Sequence, residues 1–583
     1  MKKTKILATL GPTCNDVKTM KAMIKAGMDA ARVNFSHGTY ESHTDTINKL
    51  KEARESLGMP IPLVLDTKGP EIRIKTFKES PIYLKQGSNF MLTTREVEGD
   101  ETQVSVTYED LPKDVKQGSR VLLDDGLIEL EVLSIKDTDI MCRAVNEGYL
   151  GSRKGVNIPD VYVNLPSLTE QDISDLKFGI KMEVDYVAAS FIRSANDVLN
   201  IREVLESNGG GRIRIISKIE SREGVDNIDS ILEVSDGIMV ARGDLGVEIP
   251  PEEVPIVQKA LINRANRLGK LVITATQMLE SMTKNPRPTR AEANDVATAI
   301  FEGTDIVMLS GETANGAHPL ESISMMARIA QRAQESKEYF NKDSAMQGGL
   351  KTNITNAISF AACATARDIS AACIVAVTDS GFAANMVARS RPDSPILALT
   401  SSEQVCRQLN LTWGCKPMLV KSFSGNDEVF DIVEEMALKS GLAKTGDAIV
   451  AIAGVPINLA ATTNTLRVRI VGNVLAKGKS SSKSVVKGVA RVFKVQDDTD
   501  HFFERGDVLV ATATSDDMMD YIKKASAIIV GSWEQVDNSH AETVTKALDI
   551  PLIISDEKVV DLIGEGTAVT VDCKAGFVFN GYR

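Results

Sequence analysis

IRIISKIE at residues 213–220 and GIMVARGD at 237–244 decide the fold of this chain, because each is a short apolar run that ends abruptly in charge. A parallel strand buried on both faces reads as such a run, and its polar tail marks the carboxyl end. Six further runs share the form: KILATLGP (5–12), DAARVNFSH (29–37), PLVLDTKG (62–69), YVAASFIR (186–193), LVITATQM (271–278) and DIVMLSGE (305–312). Helical stretches such as SANDVLNIREVLESNG (194–209) and VPIVQKALINRANRLG (254–269) separate them. Strand then helix, eight times over, predicts an α/β protein built on a parallel (β/α)8 TIM barrel, whose reactive groups gather at the carboxyl ends of its strands. The polar tails therefore converge on one mouth.

The barrel does not account for all 583 residues. At about 100 to 200 residues per domain, three to five domains are expected. Barrel residues 1–69 lead not into a helix but into alternating stretches over 70–165, among them QVSVTYEDL (103–111), SRVLLDDGLIELEVLSI (119–135) and DIMCRAVNEGYLG (139–151). Their period of two predicts an inserted β-barrel domain, placed as a lid over the mouth or else as a decorative or oligomerising module. The barrel resumes over 166–345, where Thr169 and Gln171 in LTEQDISDLKFGI read as a capping box. The polar stretch NKDSAMQGG (341–349) marks a boundary, and 346–473 alternates strands and helices as a separate α/β domain. A linker, AKGKSSSKS (476–484), lies near the start of a last mixed domain over 474–583.

With 43% hydrophobic and 25% charged residues the chain reads as an ordinary globular protein. A formal charge of -12 argues against a general binder of nucleic acid or anionic membrane, so an anionic substrate must meet a local positive pocket. Seven cysteines, Cys14, Cys142, Cys363, Cys373, Cys406, Cys415 and Cys573, stand singly without zinc spacing and are expected as core fillers in a reducing, cytoplasmic setting. The start MKKTKILATLGPT lacks a signal-peptide core, and the apolar run AIVAIAGVPI (448–457) falls short of a membrane span.

Lys218 and Glu220, two apart on one strand, share a face, and Asp244 ends the next strand, so a cation and two carboxylates meet across the mouth. Two carboxylates suit a magnesium ion completed by substrate oxygens, and they equally suit a structural salt bridge. The lysine has three candidate roles: Schiff-base nucleophile, phosphate clamp, or stabiliser of an enolate or transferring phosphoryl group. Acidic neighbours hold it charged, which favours the stabiliser. Arg32, Asn34 and Ser36 project to one face of the second strand, and Arg32 suits bidentate capture of phosphate or carboxylate. Asn34 and Ser36, with Asp66 and Thr67 from the third strand, make an oxygen cage for a weakly charged hard cation, or plain turn residues. Thr276, Gln277, Ser310 and Glu312 offer hydroxyls and a carboxylate for a proton relay.

Taken together, ARVNFSHG (31–38), LDTKGPEIR (65–73), SKIE (217–220), VARGDLG (240–246), TATQMLESM (274–282) and MLSGETANG (308–316) resemble the pyruvate kinase family. The resemblance covers residues 2 to about 472 and implies phosphoryl transfer from phosphoenolpyruvate to ADP, giving pyruvate and ATP. It implies that Arg32 holds the phosphate, that Lys218 stabilises the phosphoryl and enolate charge, and that Glu220 and Asp244 bind Mg2+ or Mn2+. Gly243, Asp244 and Thr276 are implied to hold the substrate carboxylate, with a hydroxyl relay near Thr276 and Ser310 delivering the proton. Asn34, Ser36, Asp66 and Thr67 match the family's K+ ligands, and Glu71 marks the potassium-dependent members. Thr9, Asn34, His37, Arg73 and, from the lid, Lys154 are the implied nucleotide contacts.

The α/β domain resembles the family's effector domain, with Thr378, Ser380 and Gly381 in VTDSG (377–381) as candidate ligands of a sugar-phosphate or nucleotide effector. Phe382 stands where members activated by fructose 1,6-bisphosphate often carry a basic residue, which turns the expectation toward AMP or ribose 5-phosphate. The last domain is similar to the swivelling, mobile phosphohistidine domain of phosphoenolpyruvate-utilising enzymes. In VDNSHAETV (536–544) Ser539 and His540 remain, but the family's glycines and threonine do not, so a stabilising or interface role is expected. The family usually forms homotetramers. Two rivals remain: a magnesium-dependent lyase or aldolase working through a pyruvate enolate, and a catalytically silent metabolite sensor, which the intact charge cluster disfavours.

Overall fold

The computed structural model describes residues 1–336, 353–421, 428–454, 463–480, 482–494, 502–531 and 537–582. The boundary stretch 341–349 lies outside them. The chain divides into two compact units, Met1–Phe360 with Ala376–Ser422 and Leu459–Thr463, and Ala361–Val375 with Phe423–Asn458 and Asn464–Arg583. The stretch 346–473 is thus shared between units.

In the first unit the eight expected runs form β1 (Lys5–Thr9), β2 (Ala30–Asn34), β3 (Leu63–Asp66), β4 (Tyr186–Ala189), β5 (Arg214–Ile219), β6 (Gly237–Ala241), β7 (Leu271–Ala275) and β8 (Ile306–Leu309). They close into a barrel in chain order, every neighbouring pair parallel. Alternation sorts their side chains. Leu7, Ala30, Val64, Ala188, Ile216, Met239, Ile273 and Met308 fill the interior, whereas Ile6, Ala31, Leu65, Val187, Ile215 and Val240 pack outward under the helices. Advancing two residues along the inward rows leads from Ala30 to Arg32, from Val64 to Asp66, from Ala188 to Ser190, and from Ile216 to Lys218 and Glu220. The polar mouth is therefore the last layer of the barrel core, resting on an apolar plug.

The other end of the barrel is sealed from the α/β segment of the same unit. Leu411 belongs to the inner apolar cluster, and the buried Tyr186 hydroxyl donates to Gln408 O at 2.8 Å. In that segment strands Ile396–Thr400 and Cys415–Leu419 pair in parallel.

Residues 70–165 fold as an insertion with its own core, from Ile72 and Phe90 to Leu130 and Val156. Six strands pair side by side and a two-stranded ribbon stands apart. Residues 73 and 74 bridge the two edges of that sheet, Arg73 to Gly155 beside Val156–Asn157 and Ile74 to Val106 beside Gln103–Ser105, so the strands close on themselves as the expected β barrel, with the 82–84 and 148–150 ribbon beside it. The helix Glu170–Lys181 that returns to the barrel does open on a Thr169 cap, but Asp172, not Gln171, closes the box. Asp172 stands at the third helical position, where its carboxylate meets the Thr169 N–H at 2.9 Å.

In the second unit strands Ala448–Ala453 and Thr465–Ile470 pair antiparallel. Residues 474–580 make an eight-stranded sheet whose centre, Val485–Phe493, Val508–Ala511, Ala527–Gly531 and Leu552–Ser555, is parallel. All seven cysteines are buried, as expected of core fillers. Among the described residues no helix is long and apolar enough to cross a membrane.

Candidate active site

Lys218 rises from β5 into a ring of acceptors. Its ammonium stands 3.2 Å from Asp66 Oδ1 and 3.0 Å from Glu220 Oε1, and donates to Ser190 Oγ at 2.7 Å. Burial alone would lower the lysine's pKa, but the Asp66 and Glu220 carboxylates outweigh it and hold the pKa above the ordinary value. A Schiff base, which needs the neutral amine, is disfavoured on this geometry.

Asp66, 1% exposed, joins the two cations of the site: its other oxygen receives Arg32 Nε at 2.5 Å. Burial would raise its pKa, but Arg32 and Lys218 keep it below the usual carboxylate range. Arg32 also donates to Thr9 Oγ1 at 3.0 Å, and Thr9 in turn donates to Leu309 O at 2.9 Å. Thr9 is buried beneath the arginine and supports it.

Glu220 and Asp244 form the acidic side. Burial, then the mutual charge of the two carboxylates, pushes the Glu220 pKa up against the pull of Lys218. Asp244, in the first turn of helix Arg242–Glu248, is raised by burial as well. Two desolvated carboxylates beside one ammonium carry surplus negative charge, and their hard oxygens fit a divalent cation of the magnesium type. Among the described residues no group of three or more His, Cys, Asp and Glu side chains gathers as a metal cage. Two carboxylates would leave the remaining ligands of such an ion to substrate and water.

On the far side Asn34 and Asp66 face each other in register across β2 and β3, with Thr67 next in chain. Asn34 Oδ1 accepts the Ser36 N–H at 3.1 Å, and Ser36 is exposed. These neutral oxygens around one carboxylate fit a monovalent hard cation. Thr276, at φ +64°, turns its hydroxyl oxygen to the Gly243 N–H at 2.8 Å, and Gln277 follows at φ +52°. Left-handed backbone at two successive non-glycine residues is strain of the kind that gathers at functional sites.

Three residues that sequence reasoning missed support this layer. Ser190 holds Lys218. Phe191 N–H donates to Glu220 Oε2 at 2.6 Å. Arg242 braces the strained loop, donating to Thr276 O at 2.6 Å while pairing with Asp295 at 2.7 Å. Glu312 is a brace too: both oxygens accept backbone N–H groups, from Ser310 at 2.7 Å and Leu279 at 3.1 Å, which occupies the carboxylate offered for a proton relay.

A cavity of about 250 Å3 opens between insertion and mouth, lined among others by Glu71, Asn157, Arg193, Asp244 and Glu248. Asn157 of the insertion donates to Glu248 at 2.8 Å. Lys154 pairs with Asp124 at 2.9 Å, and Arg73 pairs with Glu71 and donates to Arg153 O at 2.7 Å. Both basic residues expected on nucleotide phosphates are thus engaged within the insertion, and His37 is exposed.

These features on an eightfold barrel with this insertion match one family model after another. The pyruvate kinase barrel-domain model matches residues 1–323 and the pyruvate kinase alpha/beta-domain model matches 356–469. The chain belongs to the pyruvate kinase family. It is an enzyme, a phosphotransferase. The model of the mobile domain of PEP-utilising enzymes matches residues 503–576. A pyruvate kinase of Geobacillus stearothermophilus is 46% identical over 583 residues, covering 100% of this chain and 99% of that one. One from Clostridium acetobutylicum is 49% identical over 472 residues, 81% of this chain and 100% of its own. That relative has no counterpart for about a fifth of this chain. A crystal structure of a pyruvate kinase from Cryptosporidium parvum matches with TM-score 0.78 and 39% identity, covering 81% of this chain and 96% of that one.

Away from the barrel mouth, the expected effector loop is built locally. Thr378 Oγ1 accepts the Gly381 N–H at 3.0 Å, Ser380 Oγ accepts the Phe382 N–H at 3.4 Å, and Gly381 at φ +85° opens helix Phe382–Arg389. His540, second residue of helix Ser539–Leu548, shares protons with Thr514 Oγ1 at 2.8 Å and Asp516 Oδ1 at 3.2 Å.

Proposed function

We propose that this chain transfers the phosphoryl group of phosphoenolpyruvate to ADP, giving pyruvate and ATP, with Arg32, Lys218, Glu220, Asp244 and Thr276 as its working residues. The observation that carries this reading is the Lys218 ammonium held charged between two buried carboxylates beside Arg32. Arg32 and Lys218 bind the substrate phosphate, and Lys218 meets the negative charge that develops on the transferring group. The N–H groups of Gly243 and Asp244 with the Thr276 hydroxyl orient the substrate carboxylate. Loss of the phosphoryl group leaves an enolate, and a hydroxyl and water relay near Thr276 and Ser310 returns the proton to carbon.

Glu220 and Asp244 would hold Mg2+ or Mn2+, which supplies Lewis-acid neutralisation of phosphoryl and enolate oxygens. Asn34, Ser36, Asp66 and Thr67 would hold K+, whose requirement fits Glu71 at the entrance. ADP is assigned to Thr9, Asn34, His37, Arg73 and Lys154, with Thr9 also holding Arg32 from behind. Closing the insertion over the mouth frees Lys154 from Asp124 for the nucleotide phosphates and excludes water.

The domain plan is barrel 1–69 and 166–345, lid 70–165, effector domain 346–473 and an extra domain 474–583. A phosphorylated effector, a sugar phosphate or nucleotide, is assigned to Thr378, Ser380 and Gly381. The assembly is a cytoplasmic homotetramer. The decisive experiment measures ATP formation from phosphoenolpyruvate with and without ADP and Mg2+, and with K+ exchanged for tetramethylammonium at constant ionic strength. ATP formation requiring all of them supports the reading; no ADP-dependent ATP formation would overturn it in favour of the lyase, and pyruvate release without ADP would mean transfer of the phosphoryl group to water.

A further inference from the structure

The turn after β4 holds both members of the Lys218–Glu220 pair, one through a side chain and the other through the backbone. Ser190 Oγ accepts from Lys218 Nζ at 2.7 Å and donates to Thr67 O at 2.6 Å. One residue on, the Phe191 N–H donates to Glu220 Oε2 at 2.6 Å. Phe191 lies at φ +55°, a conformation that a bulky L-residue rarely adopts. The Ser190 N–H donates to Thr67 Oγ1 at 3.1 Å, so the turns after β3 and β4 are clasped by two hydrogen bonds. Gly69, at φ +73°, permits the approach: a Cβ there would stand 2.9 Å from Ser190 Cβ and from Phe191 Cδ2.

An ammonium has three N–H bonds and no acceptor. Lys218 meets three acceptors, Asp66 Oδ1 at 3.2 Å, Glu220 Oε1 at 3.0 Å and Ser190 Oγ at 2.7 Å. Ser190 is the nearest of the three and the only neutral one. Its own proton is committed to the Thr67 carbonyl at 2.6 Å, which fixes the direction of the lone pair it turns to the ammonium. Without it the ammonium turns between two carboxylates that both attract it.

We propose that Ser190 is a positioning residue for phosphoryl transfer: its hydroxyl, fixed by the Thr67 carbonyl, sets where the Lys218 ammonium stands between Asp66 and Glu220. This rests on Lys218 being the cation that meets the transferring group. Misplacing such a group by about 1 Å costs on the order of 100-fold in rate.

The test is Ser190→Ala in the full-length chain. Loss of a hydrogen bond to a charged group predicts a fall in kcat of about 10- to 100-fold, with KM for phosphoenolpyruvate within about threefold. The Mn2+ dissociation constant, read by electron paramagnetic resonance titration of the free enzyme, is expected to stay within about twofold, because the Phe191 N–H still holds Glu220. A kcat within about twofold of the parent overturns the proposal. So does a kcat loss accompanied by weakened Mn2+ binding, which marks the hydroxyl as merely holding the turn together. Lys218→Met in the same assay separates the two levels. Activity surviving that change removes the lysine's role, whereas activity lost there but kept in Ser190→Ala removes only the role of Ser190.

Discussion

Replacing Lys218 with Met tests the charge balance on which the whole site depends, and the structure makes the outcome two-sided. Catalysis loses the cation facing the phosphoryl group, an effect of about 10³- to 10⁵-fold in kcat, or on the order of 4 to 7 kcal/mol of barrier. Sequence alone suggests that folding stays near normal, but Asp66 and Glu220 face the ammonium at 3.2 and 3.0 Å and are 1% and 2% exposed. Removing one partner of a buried ion pair costs about 3 to 5 kcal/mol because the other charge stays behind. Arg32 still covers Asp66, so the unpaired groups are Glu220 and Asp244. Both already have raised pKa values from burial, and loss of the lysine raises them further. A carboxyl with a raised folded pKa binds its proton more tightly in the native state than in the unfolded one, so stability falls as pH rises. The deficit of Lys218→Met should therefore be small near pH 5 and grow toward pH 8. Thermal unfolding across that range reads the stability arm, and pyruvate formation coupled to NADH oxidation reads the catalytic arm. Activity within about tenfold of the parent refutes the role of the lysine. A stability deficit that shrinks with rising pH refutes the charge argument.

Lys154→Ala removes a side chain that pairs with Asp124 within the insertion, and is expected to raise KM for ADP several-fold with KM for phosphoenolpyruvate unchanged; both kinetic constants of ADP equal to the parent's would end the lid assignment. Glu71→Lys places a fixed cation at the entrance in place of the Glu71–Arg73 pair, and should leave activity in tetramethylammonium salts close to that in K+; an undiminished K+ requirement would count against the monovalent site. His540→Ala breaks the contacts to Thr514 and Asp516, and steady-state ATP formation is expected within about twofold of the parent; a larger loss would draw the last domain into the phosphoryl chemistry.

The barrel was legible because parallel strands covered on both faces must be apolar along their whole length, so β1 to β8 stand out as uninterrupted runs. Alternation then placed Lys218 beside Glu220 and Arg32 below Asn34 without coordinates. The insertion was legible as strands and as a β barrel, but the order in which its strands pair was not, since that depends on contacts far apart in sequence. The capping box at Thr169 was read one residue short because Gln171 fits the amide pattern, while the third helical position belongs to Asp172.

What escaped the sequence is the layer that orients the working groups, and there is a physical reason. Ser190 at a strand end is indistinguishable by composition from a turn former, and its partners Lys218 and Thr67 belong to the strands on either side, reached only once β3, β4 and β5 are in register. Neighbouring parallel strands are joined by connections tens of residues long, so no local spacing records their register. The same holds for Arg242, whose acceptors lie 33 and 34 residues away, and for the Phe191 N–H, which no side-chain pattern can announce. One signal was present: YVAASFIR ends its apolar run with a hydroxyl on the inward row, two residues beyond Ala188, and the same height on the neighbouring strands β2, β3 and β5 carries Arg32, Asp66 and Lys218, charges that need partners. A small polar residue at that height must accept from or donate to one of those charges, since buried polar groups seldom stay unpaired. Reading the inward rows layer by layer around the barrel, as well as strand by strand, would have put Ser190 beside Lys218.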